Sequence, residues 1–142
     1  MSASILSATA RTARLVAVLA SLAAGAIYLF IGTGVVSIGR STQDATTDLF
    51  AFGVLMGAVS LAIAVGVWLL PASRSVLIGV AFLELVALIG YVAAAGVREP
   101  PFELWGLAIK FFQTTVLIAT VYLFSERDRG ISIASDVTGG AA

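Results

Sequence analysis

Cysteine and histidine are both missing from this sequence of 142 residues. Without cysteine there can be no disulfide and no thiolate ligand for a metal. Without histidine there is no imidazole ligand, no histidine-ligated haem, and neither a Ser–His nor a Cys–His catalytic pair. These absences exclude the commonest metal centres and hydrolytic sites, and the sequence predicts neither a metal nor a cofactor.

Charge is the next scarcity. Eight basic and eight acidic residues make up only 11% of the chain and leave a formal net charge of zero. A soluble domain carries about 25% charged residues, so this composition excludes an ordinary soluble enzyme and a disordered chain. It also excludes a nucleic-acid partner, which requires a basic surface. Hydrophobic residues reach 60% and the mean hydropathy is +1.08, which predicts a protein whose main partner is the lipid bilayer.

Long apolar runs are what the chain does contain. Four stretches, at residues 15–39, 49–70, 75–97 and 104–125, hold only two charged residues between them. About 20 apolar residues are enough for a helix to cross a bilayer. Each run is long enough, and the backbone of a spanning segment this long must satisfy its hydrogen bonds internally, as a helix does. The sequence therefore predicts four transmembrane helices.

Short connections between these runs favour antiparallel neighbours. We therefore predict an all-α integral membrane protein, with four transmembrane helices in an up-down-up-down antiparallel bundle. Residues 1–14 would form a short N-terminal segment, 15–125 the transmembrane domain and 126–142 a flexible tail. The tail is expected to be flexible because it has too little apolar surface to fold alone.

Orientation follows from the arginines outside the runs. Five of them belong to the side that holds both termini, namely Arg11, Arg14, Arg74, Arg127 and Arg129. The opposite side has Arg40 and Arg98. Cytoplasmic connections are enriched in positive charge, so both termini are expected in the cytoplasm. The preference for arginine over lysine, with abundant alanine, valine and glycine, is typical of a GC-rich bacterium and favours a multi-pass protein of the bacterial inner membrane.

Small residues recur on one face of each of the first two runs. They are Ser21, Gly25 and Gly32 in the first run, and Gly53 and Gly57 in the second. Helices in lipid associate by close packing, and small residues allow the backbones to approach. These faces are predicted to pack helix against helix within one molecule. Contact between molecules, or coincidence in a glycine-rich chain, are the alternatives.

Glu84 and Lys110 are the two charges inside the predicted spans. A charge near the centre of a membrane helix costs on the order of 3 kcal/mol, so its presence there requires an explanation. Four other polar residues lie near the same depth or just outside it: Tyr28, Ser60, Tyr91 and Gln113. Antiparallel helices would bring all six together, which predicts a small polar cluster near the membrane midplane.

Three interpretations of this cluster stay open. In the first, Glu84 is structural: it pairs with Lys110, or is protonated and hydrogen-bonded to Tyr28 or Ser60. The protein would then be a non-catalytic structural or accessory subunit, bound to a membrane-protein partner or to copies of itself. In the second, Glu84 is the proton or cation site of a small proton-coupled transporter. In the third, the cluster belongs to a pocket for a lipid or a small hydrophobic molecule.

Overall fold

The computed structural model describes residues 8–36, 46–71, 73–95 and 104–139. Within these ranges the chain forms four helices and no β-strand: α1 (Ala8–Gly32), α2 (Thr46–Leu69), α3 (Arg74–Ala95) and α4 (Leu104–Gly139). All four contain a segment long and apolar enough to cross a membrane. The prediction of an all-helical chain with four such helices is confirmed. The connections at 40–48 and 98–103 lie almost wholly outside the described residues.

Local features of the sequence explain where α1 and α2 end and where α3 begins. After α1, Gly34 adopts a φ of 75°, a backbone conformation that L-residues with a side chain disfavour. The chain turns there, and the Val36 N–H donates to the Phe30 carbonyl at 3.1 Å. α2 ends just before Pro71, whose ring cannot continue a helix. Ser73 then caps α3, since its Oγ accepts a hydrogen bond from the Val76 N–H at 3.4 Å.

Two helices differ in their limits from the predicted spans. α1 begins at Ala8 and ends at Gly32, whereas the predicted run covered residues 15–39. α4 continues past residue 125 as far as Gly139, so that much of the segment expected to be flexible is helical. Polar residues support this extension, because Arg129 forms an ion pair of 3.1 Å with Glu126 one turn earlier. At about 1.5 Å per residue, α4 is ~54 Å long.

Packing is uneven around the bundle. α1 contacts both α2 and α4 along its length, and α3 packs mainly against α4, but α2 and α3 scarcely touch. The largest core cluster lies among all four helices and includes the fully buried side chains of Val67, Leu77 and Val116. A gap between α2 and α3 follows from this arrangement, and it contains the site described below.

α1 and α2 approach each other most closely at their glycines. A Cβ atom built on Gly53 would lie 2.5 Å from the Gly32 Cα, and one on Gly25 would lie 3.1 Å from the Ser60 Cβ. A Cβ on Gly57 would lie 2.8 Å from the Leu29 Cγ. Glycine is therefore required at position 53 by the neighbouring backbone itself, as is typical of closely packed membrane helices.

Candidate ligand-binding site

A cavity of about 430 Å³ occupies the gap between α2 and α3, with α1 and α4 behind it. Most of its wall is apolar, formed by side chains such as Ile31, Met56, Ile63 and Ile109. Phe52 on α2 and Leu83 and Val86 on α3 also line it, and each is about half exposed. These half-exposed side chains form the mouth, which opens sideways between the two helices.

The polar residues that the sequence singled out all lie on the wall of this one cavity. They are Tyr28, Ser60, Glu84, Tyr91, Lys110 and Gln113. Every helix contributes at least one of them. The cavity is thus an apolar chamber with a small group of polar groups on its inner wall.

Glu84 is the buried acid of this group. The residue lies on α3 and is 3% exposed, yet its Oε2 atom has no hydrogen-bond partner among the residues that the structure describes. An unsatisfied buried acceptor costs free energy, and an ionised one costs more. Glu84 therefore brings to the cavity wall a buried carboxyl oxygen whose hydrogen-bonding capacity the described residues leave unused.

Lys110 has other partners. Its Nζ donates to the Ala87 carbonyl on α3 at 3.0 Å and also to the Gln113 Oε1. The same Nζ lies 5.0 Å from the centre of the Tyr91 ring, a cation–π distance. The ion pairs among the described residues do not include Glu84 with Lys110. The ammonium group is thus held by neutral groups of α3 and α4, and Glu84 keeps its open oxygen.

Tyr28 and Ser60 complete the wall from α1 and α2. The Tyr28 hydroxyl lies within interaction range of the Gln113 amide and of the Glu84 carboxyl. Its ring meets Phe52 edge to face, with ring centres 5.8 Å apart. The Ser60 hydroxyl donates to the Met56 carbonyl of its own helix at 2.9 Å. The Ser60 hydroxyl is thus satisfied within its own helix.

Sequence patterns did not identify Gly106, which positions Tyr91. A Cβ on Gly106 would lie 2.6 Å from the Tyr91 hydroxyl oxygen and 2.9 Å from its ring, so the tyrosine packs flat against the α4 backbone. The sequence did contain one indication of its role: Gly106 lies four residues before Lys110, so the two residues share a helix face.

Replacing Gly106 by alanine should displace the Tyr91 ring and weaken its contact with the Lys110 ammonium. Because the ring can rotate, we expect a loss of about 1 kcal/mol in the free energy of unfolding, at the low end for overpacked sites. Chemical unfolding in detergent would measure it. Gly90→Ala is the matched control, since Gly90 also lines the cavity but has open space around its Cβ position. Equal effects of the two substitutions would contradict this role for Gly106.

Other classes of site and of relative were also sought. Within the part of the chain that the structure describes, no group of three or more His, Cys, Asp or Glu residues could hold a metal ion. Comparisons with protein-family models, with curated proteins and with solved structures find no match to this chain. The cavity and its polar wall are therefore the basis on which a function can be proposed.

Proposed function

We propose that this is a multi-pass protein of the bacterial inner membrane, with four antiparallel spans and both termini in the cytoplasm. Pairings between α1 and α2 support the antiparallel arrangement: Gly32 contacts Gly53, whereas Arg14 near the start of α1 lies on the Trp68 ring near the end of α2. Residues early in α1 thus contact residues late in α2, and residues late in α1 contact residues early in α2, as in an antiparallel pair. The arginines among the described residues lie at the end of the bundle that holds both termini. Since positive charge is enriched on the cytoplasmic side, they support a cytoplasmic location for that end, as the sequence does.

We further propose that the protein binds a small lipophilic amine in the cavity and exchanges it for a proton. The observation behind this proposal is the Glu84 carboxyl, buried on an apolar wall with an oxygen that none of the described residues satisfies. A protonated amine supplies both the missing hydrogen-bond donor and the opposite charge. Its apolar body would fill the rest of the cavity, whose volume lies within the ~300–1,000 Å³ of small-molecule sites.

Proton exchange follows from the same burial. An ionised carboxylate in an apolar chamber is costly, and either a proton or a bound ammonium group can neutralise it. The two neutralising groups exclude each other at one oxygen. Binding of the amine should therefore displace a proton, and its release should allow the proton to return. Such competition at a single carboxyl would couple the binding of the amine to that of the proton, as a small proton-coupled transporter requires.

Glu84→Gln tests this directly. In lipid nanodiscs, fluorescence titration with naphthylmethylamine should show saturable binding by the wild-type protein and at least 30-fold weaker binding by E84Q, since a loss of about 2 kcal/mol is modest for a buried charged partner. Methylnaphthalene, which lacks the amino group, should bind both proteins equally. Asp128→Asn removes an exposed carboxylate outside the cavity and should change neither affinity.

A structural or accessory subunit is the second candidate, and one observation favours it. α3 packs mainly on α4 alone, and its outer apolar side chains, among them Phe82 and Ile89, are more than half exposed. That face would suit lipid, a second copy or another membrane protein. Amine binding that is absent from the wild-type protein, together with a stable partner after purification in mild detergent, would favour this candidate and overturn the transporter.

A further inference from the structure

Polar residues recur at intervals of seven on one face of α1 and on one face of α4, and the two members of each series nearest Glu84 are buried. Seven residues are nearly two full helical turns, so residues at this spacing share a face. The series on α1 comprises Arg14, Ser21 and Tyr28, and the series on α4 comprises Gln113, Thr120 and Arg127. The pair Tyr28 and Gln113 lies on the cavity wall beside Glu84. Both series thus begin at the candidate site and run away from it.

Ser21 and Thr120 are the middle members, and each is only 1% exposed. The Ser21 Oγ and the Thr120 Oγ1 are buried, and neither has a hydrogen-bond partner in the described part of the chain. A helical serine or threonine usually satisfies its hydroxyl on its own backbone, as Ser60 and Thr115 do here. Buried groups that lack a protein partner are generally satisfied by ordered water.

The two hydroxyls lie at the same depth. Tyr28 is beside Gln113, whereas Val16, nearer the start of α1, lines a side cavity with Tyr122, nearer the end of α4. The helices therefore run in opposite senses, and a step of seven residues from the first pair reaches Ser21 on one helix and Thr120 on the other. Each step covers about 10 Å along the axis.

A further step of seven residues reaches Arg14 and Arg127. The Arg14 guanidinium lies 4.5 Å from the centre of the Trp68 ring and donates to the Trp68 carbonyl, but its Nε is buried without a partner. The Arg127 Nη1 is likewise buried and unpartnered. Water would satisfy these two unpartnered N–H groups. A guanidinium, however, does not give up its proton. The arginines can therefore order water but cannot relay a proton themselves.

We propose that these residues line a hydrated proton path through the interior of the bundle, from the arginine-bearing end of the protein to Glu84. A proton passes from water at Arg14 and Arg127 to water held by Ser21 and Thr120. From there it passes to the Glu84 carboxylate as the ammonium form of the ligand departs. One proton enters for each cation that leaves, and hydroxyl groups can relay it because they both donate and accept.

The surroundings of Glu84 fit one proton entrance on this side. Among the described residues, the titratable and charged groups that line the cavity with Glu84 are Tyr28 from α1 and Lys110 from α4, with Tyr91 on its own helix; α2 contributes the neutral Ser60. Lys110 and Tyr91 lie toward the opposite end of the cavity. This path rests on the proposed proton-coupled function, to which it adds the route and the residues that form it.

Thr120→Val tests the path by removing one hydroxyl with little change of shape. In proteoliposomes containing the pH dye pyranine, proton movement driven by a naphthylmethylamine gradient should be about tenfold slower than in the wild-type protein, with the amine affinity unchanged. Thr120→Ser should restore the rate. Thr115→Val is the matched control, because the Thr115 hydroxyl donates to its own helix at the Phe111 carbonyl. An equal rate in T120V and wild-type protein would overturn the path while leaving amine binding by Glu84 intact.

A second measurement separates this failure from failure of the proposed function. If water occupies the space beside the Thr120 hydroxyl, Thr120→Val removes a hydrogen-bond partner from that water and should lower the melting temperature in detergent. If the space is dry, the same change removes an unsatisfied hydroxyl and should raise that temperature. A higher melting temperature would overturn the hydrated path whether or not the protein binds an amine.

Discussion

Gly53→Ala is expected to lower the free energy of unfolding by about 3 kcal/mol, the upper part of the usual range for overpacked sites. The added methyl group would lie 2.5 Å from the Gly32 Cα and 2.6 Å from the Tyr28 carbonyl oxygen. Both are backbone atoms of α1, and neither can rotate away as a side chain would. α1 and α2 would have to separate along the contact that holds them together.

Thermal unfolding in detergent micelles, followed by circular dichroism, would measure the change. Gly79→Ala is the control, since a Cβ at that helical glycine meets no atom within 4 Å. There we expect unchanged or slightly increased stability, because alanine is the better helix former by about 0.5–1 kcal/mol. Similar losses from the two substitutions would mean that close packing at Gly53 does not hold α1 against α2.

Lys110→Met is expected to tighten the binding of naphthylmethylamine by about 30-fold. The ammonium of Lys110 repels a cationic ligand held by Glu84 on the same cavity wall. Two unit charges about 8 Å apart interact by about 2 kcal/mol at an effective dielectric constant of ~20, and that energy corresponds to about 30-fold in Kd. Methionine keeps a similar length and an apolar stem, so the cavity should retain its shape.

The same nanodisc titration would measure this effect, and Arg11→Met would serve as its control, because Arg11 is exposed and lies outside the cavity. The structural hypothesis gives the opposite result. If Glu84 and Lys110 stabilise each other, Glu84→Gln should destabilise the protein and Lys110→Met should partly restore it. A double-mutant cycle on stability with that outcome, and no gain in amine affinity for K110M, would reject the cation site.

The four helices could be predicted because charge marks their limits. Arg74 begins α3, and the apolar run that ends at residue 70 corresponds to the end of α2 at Leu69. The end of α1 could not be found in this way, because residues 33–39 are uncharged and the chain leaves the helix through the backbone conformation of Gly34. Nor does composition show that α4 continues as a helix among polar residues beyond residue 125.

The polar site residues could be chosen from the sequence because a polar group is conspicuous in an apolar helix, as Glu84 and Gln113 are. Their surroundings could not be deduced in the same way. Periodicity shows which face of a helix is polar, but it does not show that α2 and α3 stand apart and leave a cavity between them. Thr120 was overlooked because one threonine in an apolar run looks ordinary, and only its seven-residue spacing from Gln113 and Arg127 distinguishes it.

Because the mouth opens sideways between α2 and α3, its position determines whether the site samples the ligand concentration in water or that in the bilayer. Phe52, Leu83 and Val86 surround that mouth, and under the proposed placement they face hydrocarbon rather than water. A lipophilic amine would first partition into the bilayer and then enter the cavity from the side. Occupancy is then governed by the partition coefficient multiplied by the affinity measured within the lipid phase. A site with only weak affinity for ligand dissolved in the lipid can therefore still be saturated at a low aqueous concentration of that ligand.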